Sequence, residues 1–165
     1  MTEWLRAGDV TVRREPRAIP HPPCATAADE APSSRRILVV ADDECARQVM
    51  ALMLRCAGYR VACAGDGEAA WSSLATETFD LSITDCEMPR LSGLDLIRRI
   101  RAAAISLPAI LVSGDFPQGA PDLSALLPSD AALSKPFLRT DLLKRVRLFL
   151  DPTEPGAGNW LRQVG

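Results

Sequence analysis

Histidine is almost missing from this chain: His21 is the only one, flanked by Pro20 and Pro22. A zinc centre built on imidazoles is therefore out of reach, and the five cysteines contain no C-x-x-C pair to replace it. With an odd cysteine count and no paired spacing, Cys24, Cys45, Cys56, Cys63 and Cys86 are read as reduced, mostly buried thiols. No apolar run approaches the roughly 18 residues that a membrane span requires. The first residues, Met1-Thr2-Glu3-Trp4-Leu5-Arg6, lack the apolar core of a signal peptide. Nor is there an excess of positive charge. The formal net charge is −2, which argues against nucleic acid or an anionic membrane as partner. A cytoplasmic protein is the expectation.

What is present is ordinary globular composition, 47% hydrophobic and 24% charged, enough for one domain with tails. Residues 1–34 carry five prolines and no sustained period, and read as a disordered leader. Residues 151–165 are rich in Pro and Gly and read as a flexible C-terminal tail. Between them, residues 35–150 alternate between two kinds of segment. Ile37–Val40, Tyr59–Cys63, Phe79–Thr84, Pro108–Val112 and Ala131–Ser134 are short apolar runs suited to buried parallel strands. Helical spacing separates them. Ala46, Val49, Met50, Met53, Leu54 and Ala57 form one stripe, which Gly58 ends. A helix from Glu68 to about Thr76 follows, with Asp66 as its cap. Leu94, Ile97 and Ile100 mark a third helix and Asp122–Leu127 a short fourth. Leu138, Leu142, Leu143, Val146, Phe149 and Leu150 mark a fifth, with a basic outer face. Five strands alternating with five helices predict an α/β fold, a flavodoxin-like doubly wound parallel sheet in the order 2-1-3-4-5.

In such a sheet ligands bind at the carboxyl ends of the strands. Asp42 and Asp43 follow the first strand, Asp85 the third, Ser113 the fourth and Lys135 the fifth. Crowded carboxylates call for a hard cation with oxygen ligands, such as Mg²⁺. A lysine and a hydroxyl at the same edge suit an anion. Together these groups are what phosphoryl transfer to a nucleophilic aspartate needs.

These residues resemble the receiver domain of two-component response regulators, from about Arg36 to Leu150. Ile37-Leu38-Val39-Val40-Ala41-Asp42-Asp43-Glu44 is similar to the family's first strand and its acidic ending. Asp85-x-x-Met88-Pro89-x-x-x-Gly93 is similar to its phosphoacceptor motif, and Lys135-Pro136-Phe137 to its Lys-Pro-Phe. The resemblance implies that Asp85 takes a phosphoryl group from a histidine kinase or a histidine phosphotransfer protein. It implies Mg²⁺ on Asp42, Asp85 and the backbone carbonyl of Glu87, with Ser113 and Lys135 on the phosphoryl oxygens. Glu87 and Asp115 occupy positions that influence acyl-phosphate lifetime in the family. The downstream partner is an unidentified protein target, reached through the face of the fourth helix, fifth strand and fifth helix. No output domain is expected after Leu150.

Two departures stand out. Ala41 replaces the first of the family's two acids; Asp43 and Glu44 are the alternative sources of charge, though a regular strand turns each elsewhere. Ala132 replaces the usual aromatic three before the lysine, so a response to phosphorylation is expected in Gly114–Ala120 instead. A pseudo-receiver that binds partners without taking phosphate is the second reading. A phosphatase with an aspartyl nucleophile is the third and weakest, because such enzymes place the nucleophile on the first strand, with a second aspartate two residues on.

Overall fold

A computed structural model describes residues 34–115, 127 and 131–150. Its order is β1 (Arg36–Val40), α1 (Glu44–Arg55), β2 (Arg60–Ala64), α2 (Gly67–Thr76), β3 (Leu81–Asp85), α3 (Gly93–Ala102), β4 (Ala109–Ser113), β5 (Ala132–Ser134) and α4 (Arg139–Leu150). The strands form one parallel sheet in the order β2-β1-β3-β4-β5, the flavodoxin-like winding expected. Of the five expected helices, the short one over Asp122–Leu127 lies outside the described residues apart from Leu127, as do residues 1–33 and 151–165.

The period-2 alternation of β1 explains the two layers. Ile37, Val39 and Ala41 point to the face covered by Met50 and Leu54 of α1 and Leu142, Val146 and Leu150 of α4. Leu38 and Val40 point to the opposite face, under Ala70 of α2 and Leu96 and Ile100 of α3. The central strands β3 and β4 are buried along their whole length; β4 reads as an apolar run, whereas β3 buries Ser82, Thr84 and Asp85 as well.

Helix starts are set by local capping. Asp43 accepts from the Ala46 N–H at 2.8 Å, Asp66 from Ala69 at 2.8 Å and Ser92 from Asp95 at 3.1 Å. Gly58 takes the left-handed conformation (φ 89°) that turns the chain from α1 into β2.

Four packing expectations change. The described cysteines are not mostly buried: Cys45 and Cys63 are exposed, and Cys56 and Cys86 only partly buried. Val49 is 50% exposed, while Ala51 is buried. The buried face of α1 is centred on Met50 and Leu54, and a one-residue step rotates Val49 about 100° off it. Leu96 joins Ile97 and Ile100 in the core, where Leu94 is only half-buried. Leu138 precedes α4 and is 70% exposed; its N–H donates to Asp141 Oδ2 at 3.0 Å, which caps the helix.

Candidate functional site

The carboxyl edge of the sheet opens into a cleft of about 740 Å³. Asp42, Asp43, Asp85, Glu87, Ser92 and Lys135 contribute to its lining. Asp85 is the last residue of β3 and is only 4% exposed. Its Oδ2 is ion-paired with Lys135 Nζ, and its Oδ1 accepts from the Glu87 N–H at 3.4 Å. An aspartate so buried needs a counter-charge, and Lys135, delivered from the end of β5, supplies it.

The loop after Asp85 is built for close approach. Gly93 donates its N–H to the Cys86 carbonyl at 3.1 Å. A Cβ on Gly93 would stand 2.0 Å from the Asp85 carbonyl oxygen and 2.9 Å from Thr84 Oγ1. Only glycine lets the first turn of α3 sit against the backbone of the acidic residue itself. Met88 anchors the same loop by burying its side chain in the α2/α3 layer.

On the other side of Asp85, β1 ends in a turn held by an arginine. Arg47 Nη1 donates to the Ala41 carbonyl at 2.6 Å and to the Asp42 carbonyl at 3.3 Å. Ala41 is fully buried among the residues under α1 and α4. Asp42 is exposed, and its carboxylate has no hydrogen bond or ion pair among the described residues. Asp43 lines the cleft, but its carboxylate caps α1; Glu44 lies in the first turn of α1 and is not part of the cleft wall. The two candidates for the charge missing at Ala41 are thus one occupied by capping and one outside.

Ser113 ends β4 and is fully buried. Its hydroxyl donates to the Asp115 carbonyl at 2.7 Å and accepts the Asp115 N–H at 3.2 Å, so here it serves its own loop rather than Asp85. Cys86, on the cleft wall, is half-buried against Leu111 and Leu127. Burial pushes its thiol pKa up, against a hydrogen bond with Ser113 that lowers it; the charges of Glu87, Asp85 and Asp95 raise it further. A raised pKa makes it a packed thiol rather than a nucleophile.

The structure therefore brings Asp42, Asp85, Glu87 and Lys135 to one cleft and leaves the Ser113 hydroxyl turned aside. Reasoning from sequence missed Arg47 and Arg90. An arginine four residues after an N-cap can reach back to turn carbonyls, which was a usable signal for Arg47. Arg90 pairs with Asp66, 24 positions away, and nothing local announces it.

Among the described residues no group of three His, Cys, Asp or Glu side chains is poised around a metal. The expected donor set differs from such a group: two carboxylates, Asp42 and Asp85, and the Glu87 carbonyl. All are oxygen donors in an acidic cleft, and the Asp42 carboxylate is uncommitted, which fits a hard cation that keeps several waters.

A parallel 2-1-3-4-5 sheet with acid and lysine meeting at its carboxyl edge defines a receiver domain, the signalling module of two-component systems. The response regulator receiver domain model matches residues 37–147, and the chain belongs to that family. It is 34% identical over 123 residues to the response regulator MprA of Mycolicibacterium vanbaalenii, covering 74% of this chain and 53% of that protein. The chain thus spans about half the length of the curated relatives it matches. The receiver domain of the Francisella response regulator 1452 superposes with a TM-score of 0.66 at 27% identity, covering 73% of this chain and all of that one. The response regulator TrrA of Thermotoga maritima, solved in complex with Mg²⁺-BeF, gives 0.60 at 31% identity, covering 68% and 96%. Receiver domains bind Mg²⁺ in general. Among the described residues no helix is long and apolar enough to cross a membrane.

Proposed function

We propose that this chain accepts a phosphoryl group on Asp85 from a histidine kinase or histidine phosphotransfer protein and passes the signal on by protein–protein contact, in the cytoplasm. The observation that carries the reading is the buried Asp85 carboxylate, held between Lys135 and the Glu87 N–H at the floor of an acidic cleft. In the transfer an Asp85 oxygen attacks phosphorus, an O–P bond forms and the P–N bond to the donor imidazole breaks. Asp42, Asp85 and the Glu87 carbonyl would hold Mg²⁺, which when bound neutralises charge on the phosphoryl oxygens. Lys135 stays at the acceptor and trades its carboxylate partner for a phosphoryl oxygen. Ser113 donates to a second oxygen once its hydroxyl leaves the Asp115 backbone. Val49 and Leu52, 50% and 55% exposed on the helix that begins at the cleft, offer apolar contact to a helical partner. Residues 35–150 form the receiver, and its acidic cleft is not a nucleic-acid surface.

A pseudo-receiver is the second reading, favoured by the buried alanine at position 41. Transfer from a phosphorylated histidine kinase decides between them. Label should move to this chain within minutes and only with Mg²⁺ present. A panel of kinases and phosphotransfer proteins that leaves it unlabelled would favour the interaction module.

A further inference from the structure

The turn between β2 and α2, Gly65-Asp66-Gly67, packs on the loop that follows Asp85 and begins right after Ala64, which is hydrogen-bonded to the end of β1; no part of it lines the cleft. On one side, Arg47 grips the Ala41 and Asp42 carbonyls, and its Nη1 would lie 3.7 Å from a Cβ on Gly65. The Ala41 N–H also donates to the Ala64 carbonyl at 3.2 Å, fixing the end of β1 to the start of this turn. On the other side, the Asp66 carboxylate is divided between two partners. Oδ1 accepts from the Ala69 N–H and caps α2, while Oδ2 is ion-paired with Arg90. Arg90 sits in the loop that follows Glu87, with a left-handed backbone (φ 70°) that a non-glycine residue adopts only when its surroundings hold it there. Beside it, Leu91 packs onto Gly67 so closely that a Cβ there would be 2.7 Å from the Leu91 carbonyl oxygen.

We infer that Gly65-Asp66-Gly67 is a backstop that sets the distance between Asp42 and the Glu87 carbonyl, with Asp66 and Arg90 as its positioning residues. The inference rests on the reading of Asp42, Asp85 and Glu87 as metal ligands. Ligands on two separate loops bind a cation well only if something else holds the loops in register, and conserving that geometry is the task of groups behind the ligands. Here one turn reaches both. Neither Asp66 nor Arg90 touches the reacting atoms, so their loss should weaken Mg²⁺ binding and leave the chemistry at saturating metal almost intact.

Asp66→Asn isolates the effect, because asparagine still caps α2 but cannot pair with Arg90. Two readouts are needed: the Mg²⁺ concentration that half-saturates labelling by acetyl phosphate, and amide hydrogen exchange across residues 86–92 in metal-free protein. Asp66→Asn and Arg90→Met should each raise half-saturating Mg²⁺ three- to tenfold and speed exchange in that loop. The labelling rate at saturating Mg²⁺ should stay within about twofold, and Arg90→Lys should restore most of the parent behaviour. Parent-like half-saturation and exchange in Asp66→Asn would overturn the proposal alone. So would an equal loss of labelling at every Mg²⁺ concentration, which marks general destabilisation. A parent that labels without any Mg²⁺ dependence would overturn the ligand reading and this proposal with it.

Discussion

The two flanks of Asp85 are built differently. Towards β1 and β2, the loops are held by specific contacts. Arg47 holds two carbonyls of the β1–α1 turn, Asp43 caps α1 and Arg90 reaches Asp66, while Gly93 seats α3 on the Asp85 carbonyl itself. Towards β4 and β5, among the described residues, the Asp85 carboxylate meets a single long side chain, Lys135, and the Ser113 hydroxyl is bonded to Asp115 instead. Ala132, in register with Leu111 two residues before Ser113, carries no ring. The difference matches the roles proposed for each flank. A cation needs fixed oxygens, whereas an incoming phosphoryl group needs a lysine and a hydroxyl that can move to it.

The sharpest way to break the fixed flank is Gly93→Ala. A methyl group 2.0 Å from the Asp85 carbonyl forces α3 away from β3, at a cost of about 3 kcal/mol in urea unfolding. A near-neutral result would mean that the flank yields easily. Ala41→Asp comes next and pulls in two directions. It restores a carboxylate near the cation and should tighten Mg²⁺ several-fold, about 1 kcal/mol. Because position 41 is buried, the same change should cost about 1–2 kcal/mol of stability without metal. Asp43→Ala should cost about 1 kcal/mol through the lost cap, with half-saturating Mg²⁺ within about twofold of the parent. A large loss of Mg²⁺ affinity there would move Asp43 from cap to ligand.

The smallest effect concerns Cys86, at the hinge of the two flanks. Its folded pKa is raised, chiefly by burial, so its thiolate is scarcer than in the unfolded chain. Near neutral pH it should alkylate roughly tenfold more slowly than the exposed Cys45 and Cys63. By linkage, its contribution to stability is complete below the ordinary thiol pKa and fades as pH rises through the folded value.

The strand order and the acid-and-lysine edge were legible because each rests on a local pattern. Apolar runs of four or five residues mark buried parallel strands, and a polar residue closing each run marks the carboxyl edge. Asp66 as a cap was legible for the same reason. The ties behind the site were not. The Arg90–Asp66 pair joins segments far apart in sequence, and an arginine in a loop carries no sign of its partner. The spacing of α1 also misplaced Val49, since its stripe is wide enough to admit residues on either shoulder. That Ser113 faces its own loop could not be read at all, because a hydroxyl's partner depends on a rotamer.

Asp85 alone should take the phosphoryl group. Intact mass after incubation with acetyl phosphate and Mg²⁺ tests it most directly. The parent should gain one phosphoryl group, lost again as the acyl phosphate hydrolyses, and Asp85→Asn should gain none. A labelled Asp85→Asn, or a parent that stays unmodified at millimolar Mg²⁺, would contradict the account.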